Sequence, residues 1–273
     1  MRTIRRFAAS LLVLSAAAGM ASAQEKVTLK PNLQTGQVWN MTQAMDTNMD
    51  IKVNAGGQQQ TINQKINMAM GATMTIVEAK DGQPVKSKIK FGDDAKISME
   101  MMGQKQNVPF PLAGKEMTVT KKADGTVDID PPGAVDASAK DMLGQMTEAS
   151  AAFYPTMPVG AGDKWEVAGD KVTKMFQLEA GGQAKLECTL VDIKEVAGRK
   201  VANVTLKGNA AGKMQGAMDV TLDMSGPLVF DVESGQVVSQ DIKANMTLKG
   251  AQAGAQMDGT GSINVKQTIT PAK

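Results

Sequence analysis

The sequence predicts an all-β protein, mainly antiparallel, with one amphipathic connecting helix and two similar β halves that form a curved half-barrel or a sandwich. Three observations predict it: long runs of strict apolar/polar alternation, glycine-rich breaks between those runs, and short blocks of the first half that recur in the same order in the second. From Trp39 onward the apolar residues Trp39, Met41, Met45, Met49, Ile51 and Val53 hold odd positions, while Asn40, Thr42, Asp46, Asn48, Asp50 and Lys52 hold even ones. A period of two over such a length means a strand with one wet face. Asn54-Ala55-Gly56-Gly57 breaks the run, and Ile62, Ile66, Met68, Met70, Met74 and Ile76 then carry the apolar face of a second strand, so the pair reads as a long hairpin. Asp81-Gly82 marks the next tight turn, because such turns need positive φ. Ile89 with Phe91, and Ile97 with Met99 and Met101, follow as strands.

Alternation resumes after Pro158. Val172, Phe176 and Leu178 form one expected strand, and Leu186, Cys188 and Leu190 form another beyond a Gly181-Gly182 turn. Further strands are expected at Val201 to Leu206, Val220 to Met224, Leu228 to Val232, Val237 to Leu248 and Ser262 to Ile269. One segment departs from this rhythm. Between Pro132 and Pro155, Val135, Ala139, Met142, Met146 and Phe153 fall at helical spacings, which predicts an amphipathic helix over Ala134 to Ala152. Such a helix either covers an open sheet face or acts as a lid over a pocket.

The two halves share ordered matches. Gly36-Gln37-Val38-Trp39 corresponds to Gly162-Asp163-Lys164-Trp165, which hold the chain's two tryptophans. Thr75-Ile76-Val77-Glu78-Ala79-Lys80 corresponds to Thr189-Leu190-Val191-Asp192-Ile193-Lys194. Ile97 to Gly103 resembles Val220 to Gly226, and Pro111-Leu112 leading to Asp124-Gly125-Thr126-Val127 resembles Pro227-Leu228 leading to Ser234-Gly235-Gln236-Val237. A tandem duplication accounts for the order, and it suggests two related sheets whose apolar faces could close on each other.

The N-terminus carries a basic start, Arg2, Arg5 and Arg6, an uncharged run from Phe7 to Gly19, and small residues at Ala21 and Ala23. These are the three parts of a secretory signal peptide cleaved after Ala23. The apolar run is short of the roughly 20 residues that span a bilayer, so no transmembrane anchor is expected after cleavage. The expected organisation is a signal peptide at 1–23, a first β half at 24–132, a helical connector at 133–156 and a second β half at 157–273. The expected location is periplasmic or secreted, by the general secretory route.

Composition excludes several classes of function. Loss of the three signal arginines turns the formal charge of +2 into about −1, and aromatics make up 3% of residues, so nucleic acid is not an expected partner. Histidine is absent, which removes the commonest general base and metal ligand. With Cys188 as the only cysteine, no intramolecular disulfide can form, and its alternation with Leu186 and Leu190 reads as a buried, inert thiol. No catalytic constellation is visible. Asp93-Asp94 and the Asp128/Asp130 pair belong to no full ligand loop and sit beside turn residues. No cofactor and no metal site is expected.

The Leu33-x-x-Gly36-x-x-Trp39 strand start, the Asp81-Gly82 hairpin and Met157-Pro158-Val159-Gly160-x-Gly162-Asp163-x-Trp165 at the head of the second half, together with the signal peptide, resemble a family of exported bacterial β-rich proteins of unknown function. The resemblance implies architecture and export, and no activity. In shape alone the pattern is similar to the half-barrels of periplasmic lipoprotein and lipid carriers.

Methionine is the outstanding component, at 21 residues. Flexible thioethers fill a core poor in aromatics, or line an adaptable apolar pocket, or ligate copper(I) as soft donors. The expected function is therefore a non-enzymatic exported protein that binds a lipid or other hydrophobic small molecule, or an envelope protein, with Met68, Met70, Met99 and Met101 as candidate ligand-binding residues. Methionine-based copper(I) binding is the alternative. Trp39 and Trp165 are expected as core anchors.

Overall fold

The computed structural model describes residues 25–122, 126–131, 143, 153–167, 169, 172–173, 176, 178–179, 181–214, 218–252 and 254–272. The expected signal peptide at 1–23 lies outside them, as does the expected helix over 134–152 except for Leu143, which is buried. In chain order the strands are β1 (Lys26–Val27), β2 (Val38–Ala55), β3 (Gln58–Lys80), β4 (Gln83–Phe91), β5 (Lys96–Met101), β6 (Gln104–Pro109), β7 (Glu116–Lys121) and β8 (Val127–Asp130). The second part adds β9 (Val159–Gly160), β10 (Lys164–Val167), β11 (Gln183–Val196), β12 (Arg199–Met214), β13 (Met218–Asp231), β14 (Val237–Gln252) and β15 (Ala255–Pro271).

Every pairing is antiparallel, and thirteen strands join one open sheet along the path β10-β11-β12-β13-β14-β15-β2-β3-β4-β7-β8, with β5 and β6 beside β3. The expected antiparallel all-β architecture is thus present. The expected half-barrel or sandwich architecture is consistent with this open sheet, in which the halves join edge to edge because β15 pairs with β2 from Gln256↔Asn54 to Pro271↔Trp39. Backbone pairing over sixteen positions joins the halves along this seam.

The matched blocks make the same backbone bonds. Gly36 N donates to Ile76 O at 2.8 Å, and Gly162 N donates to Leu190 O at 2.6 Å. Ile76 N returns a bond to Gln37 O, as Leu190 N does to Asp163 O. Trp39 stands opposite Met74 and Trp165 opposite Cys188. A register shift follows at Ile76/Glu78 in one half and at Leu190/Asp192 in the other. The third match does not hold in space. β4 and β5 run successively along β3, as the single strand β12 runs along β11, so Ile97–Met101 corresponds in position to the later part of β12 and not to Val220–Gly226 in β13. Similar alternation on two neighbouring strands produced the sequence match.

A second correction concerns Val172, Phe176 and Leu178. Phe176 N donates to Val172 O at 3.1 Å, which is helical bonding, and Val172 and Thr173 are helical. A separation of four positions suits one helical turn as well as two strand repeats, and here the turn wins by seating Val172 in the core at 0% exposure.

Side chains divide cleanly. Paired residues of antiparallel strands share a face, so the register places Leu222, Met246, Gly261, Met49, Gln64 and Met101 in one row across the sheet. This inner face carries the core. The larger core cluster is built on β11 to β14 around Leu190, Leu206, Leu228 and Phe230. A smaller one on β3, β4 and β7 surrounds Phe91, Leu112 and Met117 and includes Leu143. Glycines let the sheet coil inward. A Cβ on Gly208 would overlap Lys185 O, and one on Gly226 would overlap Asp241 O, so neighbouring backbones close in where a side chain would hold them apart.

The chain ahead of β2 ties one end together. Val27 pairs with Val159 in the β1·β9 sheet, Asn32 N donates to Ser234 O at 2.8 Å in the second half, and Leu33 N donates to Gly82 O at 2.9 Å in the first. Leu29 and Leu33 of this strap are themselves buried, at 0% and 3% exposure.

Candidate functional site

Three regions of the described residues present functional chemistry: the strapped end, the dispersed carboxylates, and the inner face between the two cores. At the strapped end a cleft of about 560 Å³ is lined by Asn32, Trp39, Arg199, Asp231, Glu233 and Ser234 among others. Some of its polar groups bond one another, while Trp39 Nε1 and Asp231 Oδ2 are buried without a hydrogen bond among the described residues. Asp231, 1% exposed, accepts from Ser234 N at 2.8 Å and Ser234 Oγ at 2.6 Å, and its Oδ2 lies 2.9 Å from the Arg199 guanidinium. That guanidinium also lies 5.8 Å from the centre of the Trp39 ring, a cation–π contact. β12 and β2 are separated by three strands, about 19 Å in a flat sheet, so the contact requires this end to draw inward. Asp231 is a structural anion that orders the 231–236 turn.

The other carboxylates are dispersed. Asp93 and Asp94 are exposed in the break between β4 and β5, and Asp128 is exposed and pairs with Lys122 at 2.9 Å. Among the described residues no three of Asp, Glu or Cys cluster as metal ligands. Cys188 is fully buried, and desolvation, with a smaller push from the neighbouring Glu187 carboxylate, raises its thiol to about 12. The thiol is therefore protonated and shielded at neutral pH.

The inner face between the cores differs from both. On β2 from Met41 to Val53, β3 from Ile62 to Met74, β14 from Gln240 to Leu248 and β15 from Met257 to Ile269, no inward position holds Asp, Glu, Lys or Arg. The charges of these strands stand on the opposite face, as with Asp50, Lys65, Lys243 and Lys266. The inward residues Met45, Met49, Ile51, Ile62, Ile66, Met68, Met246, Leu248, Ile263 and Val265 are only half-buried, whereas their counterparts on β11 to β13 are sealed. A single apolar surface thus continues from one sealed core to the other through a partly open centre. At its far end, beyond Val53, a cleft of about 470 Å³ opens around Val53, Gly250 and Met257.

All four sequence-predicted methionines lie on this face. Met68 stands between Met45 and Ile97, Met99 opposite Ile66, Met101 opposite Gln64, and Met70 opposite Gln43. Met70 is sealed in the smaller core at 6% exposure, Met68 and Met99 are half-buried, and Met101 is 46% exposed at the edge. Among the described strand pairs, methionine faces methionine directly at Met45↔Met68 and Met214↔Met218. Trp39, 3% exposed, belongs to a small core with Leu33 and Ile76, and Trp165 packs at the margin of the larger core with its indole N–H donating to Phe153 O at 3.0 Å.

Sequence reasoning missed the residues at the centre of the seam. Gln240, Gln267 and Gln43 are mutually paired on β14, β15 and β2, in one inward row flanked by Leu228 and Met70. The signal for Gln43 was present, as a polar residue at an odd position of an apolar stripe. Its grouping with two residues from the far end of the chain was not, because it depends on the β15·β2 register.

No protein-family model matches this sequence, and no curated protein matches it. Solved structures give remote likenesses. Lipovitellin, in a structure concerned with lipid–protein interactions, is 9% identical over 88% of this chain and 26% of that one, with a TM-score of 0.48. The COG4313 outer membrane channel from Pseudomonas putida is 6% identical over 88% and 97% of the two chains, with a TM-score of 0.23. A DUF1329 family protein from Desulfovibrio piger is 8% identical over 87% and 85%, with a TM-score of 0.13. None reaches a TM-score of 0.5, and this chain spans about a quarter of lipovitellin, so function has to be read from the residues themselves.

Proposed function

We propose that this protein is a non-enzymatic, exported carrier that holds a hydrophobic ligand bearing acyl chains against the inner face of its sheet. The observation that carries the proposal is the charge-free, methionine-rich surface on β14, β15, β2 and β3, half-open between two sealed cores. Apolar side chains left half-buried gain about 25 cal/mol for each further Å² removed from water, and an alkyl chain laid along the rows removes that area without requiring a charged partner. Methionine suits the task because its unbranched thioether adapts to chains of different shape.

The test uses two neighbouring positions on opposite faces. Met68 points inward and Asn67 outward on the same strand. Titration of the purified, delipidated protein with a fluorescent acyl probe should show saturable binding, reduced at least about tenfold by Met68→Lys and unchanged by Asn67→Lys. Absence of saturable binding, or equal effects of the two substitutions, overturns the assignment to this face. Native mass spectrometry with solvent extraction provides the independent check that a lipid accompanies the protein from its host.

A further inference from the structure

The amide row at the seam specifies which part of such a ligand sits there. Gln240, Gln267 and Gln43 occupy directly paired positions on three successive strands, so their side chains emerge about 4.8 Å apart. On one side the row runs into Leu228 at 0% exposure, and on the other into Met70 at 6%. Each glutamine is half-buried. An amide has two donor hydrogens and a carbonyl acceptor, and at these half-buried positions they remain open to the polar groups of a ligand. Among the described residues the one side-chain hydrogen bond made by the trio is from Gln267 Nε2 to the Met41 thioether at 3.0 Å, a weak acceptor. A ladder serving only the sheet would bond internally from strand to strand, and this one does not.

We infer that the Gln43–Gln267–Gln240 row is a recognition site for the ester carbonyls of a diacyl lipid, whose chains extend along the methionine-lined face. This rests on the carrier function proposed above and names the chemistry its ligand must present. The row offers amide N–H donors to carbonyl oxygens, and adjacent amides match the separation of two esters on neighbouring carbons. Charge argues in the same direction. With no Lys or Arg at the inward positions of these four strands, an anionic headgroup would have no counter-ion here, so the polar segment at the row is uncharged. Gln64 on β3, three rows away on the same face, extends amide chemistry toward the Met101 edge.

The experiment compares a diacylglycerol with the dialkylglycerol ether of equal chain length, which keeps the shape and hydroxyl but lacks both carbonyls. Competition against the fluorescent acyl probe on the wild-type protein should favour the ester by about tenfold, the worth of one to two net neutral hydrogen bonds. Gln43→Leu, Gln240→Leu and Gln267→Leu, singly and combined, should remove that preference by weakening the ester while leaving ether affinity equal or higher. Equal binding of ester and ether by the wild-type protein overturns the inference and needs no variant to fold. Binding of neither lipid overturns the carrier function itself, so the two failures are distinct.

Discussion

Replacing Asp231 by Asn tests whether the strapped end is held by one buried anion. The carboxylate accepts two hydrogen bonds from Ser234 and pairs with Arg199, and it is 1% exposed. Hydrogen bonds to a charged acceptor contribute about 1.5–3 kcal/mol each, and disrupting a buried pair destabilises by about 3–5 kcal/mol. Arg199 is 35% exposed, so solvent screens its share. Asn keeps one acceptor for Ser234, and the net expectation is a loss of about 2–3 kcal/mol. For a chain of this size that lowers Tm by roughly 4–12 °C. Denaturant unfolding monitored by circular dichroism reads it, and the double mutant with Arg199→Met supplies a cycle. The 231–236 turn also receives the strap through Asn32 N, so proteolysis ahead of Val38 should accelerate in parallel. A loss below about 1 kcal/mol, with additive single and double mutants, would show that this end is held by apolar burial alone.

Gly235→Ala should detach the strap, because Gly235 has φ of 66° and its added Cβ would overlap Lys30 O; a loss of at least about 2 kcal/mol by denaturation is expected. The Cys188 thiol, raised to about 12 in the folded state from an ordinary value near 9, keeps its proton where the unfolded chain loses it. Stability from this group is therefore full below pH 9 and declines between 9 and 12, by up to about 1.4 kcal/mol per pH unit, and Cys188→Ala should flatten the profile relative to wild type. Native protein at pH 8 should react with a thiol reagent only at the rate of unfolding. In the carrier assay, lengthening a saturated chain should tighten binding by about threefold per methylene until the inner rows are filled, and a flat series would argue against alkyl burial.

Local chemistry was strongly written in the chain. Apart from Gln43, Ala44 and Thr47, Trp39 to Val53 alternates apolar with polar, because one face of β2 meets apolar neighbours and the other meets water. The Asp81-Gly82 turn was legible because its two positive φ angles, 52° and 76°, restrict the residues that fit. The repeat was legible where it rested on special chemistry, as at Gly36 and Gly162, and misleading where it rested on alternation alone, as at Ile97–Gly103. The segment at 172–178 failed for a related reason, since three apolar residues satisfy two periods equally.

The methionines were recognised as one inward set, and the four named residues do share a face. What could not be recognised was the glutamine row, because a polar residue inside an apolar stripe has no meaning until its neighbours across the strands are known. The sequence alone determined strand, turn and facing, since these depend on φ and on the two-residue period of the backbone. Tertiary structure alone decided that the first and last long strands pair, that the halves therefore share one sheet, and that three distant amides meet between two cores. Register between strands some two hundred residues apart is a property of the closed hydrogen-bond ladder, and no local preference encodes it.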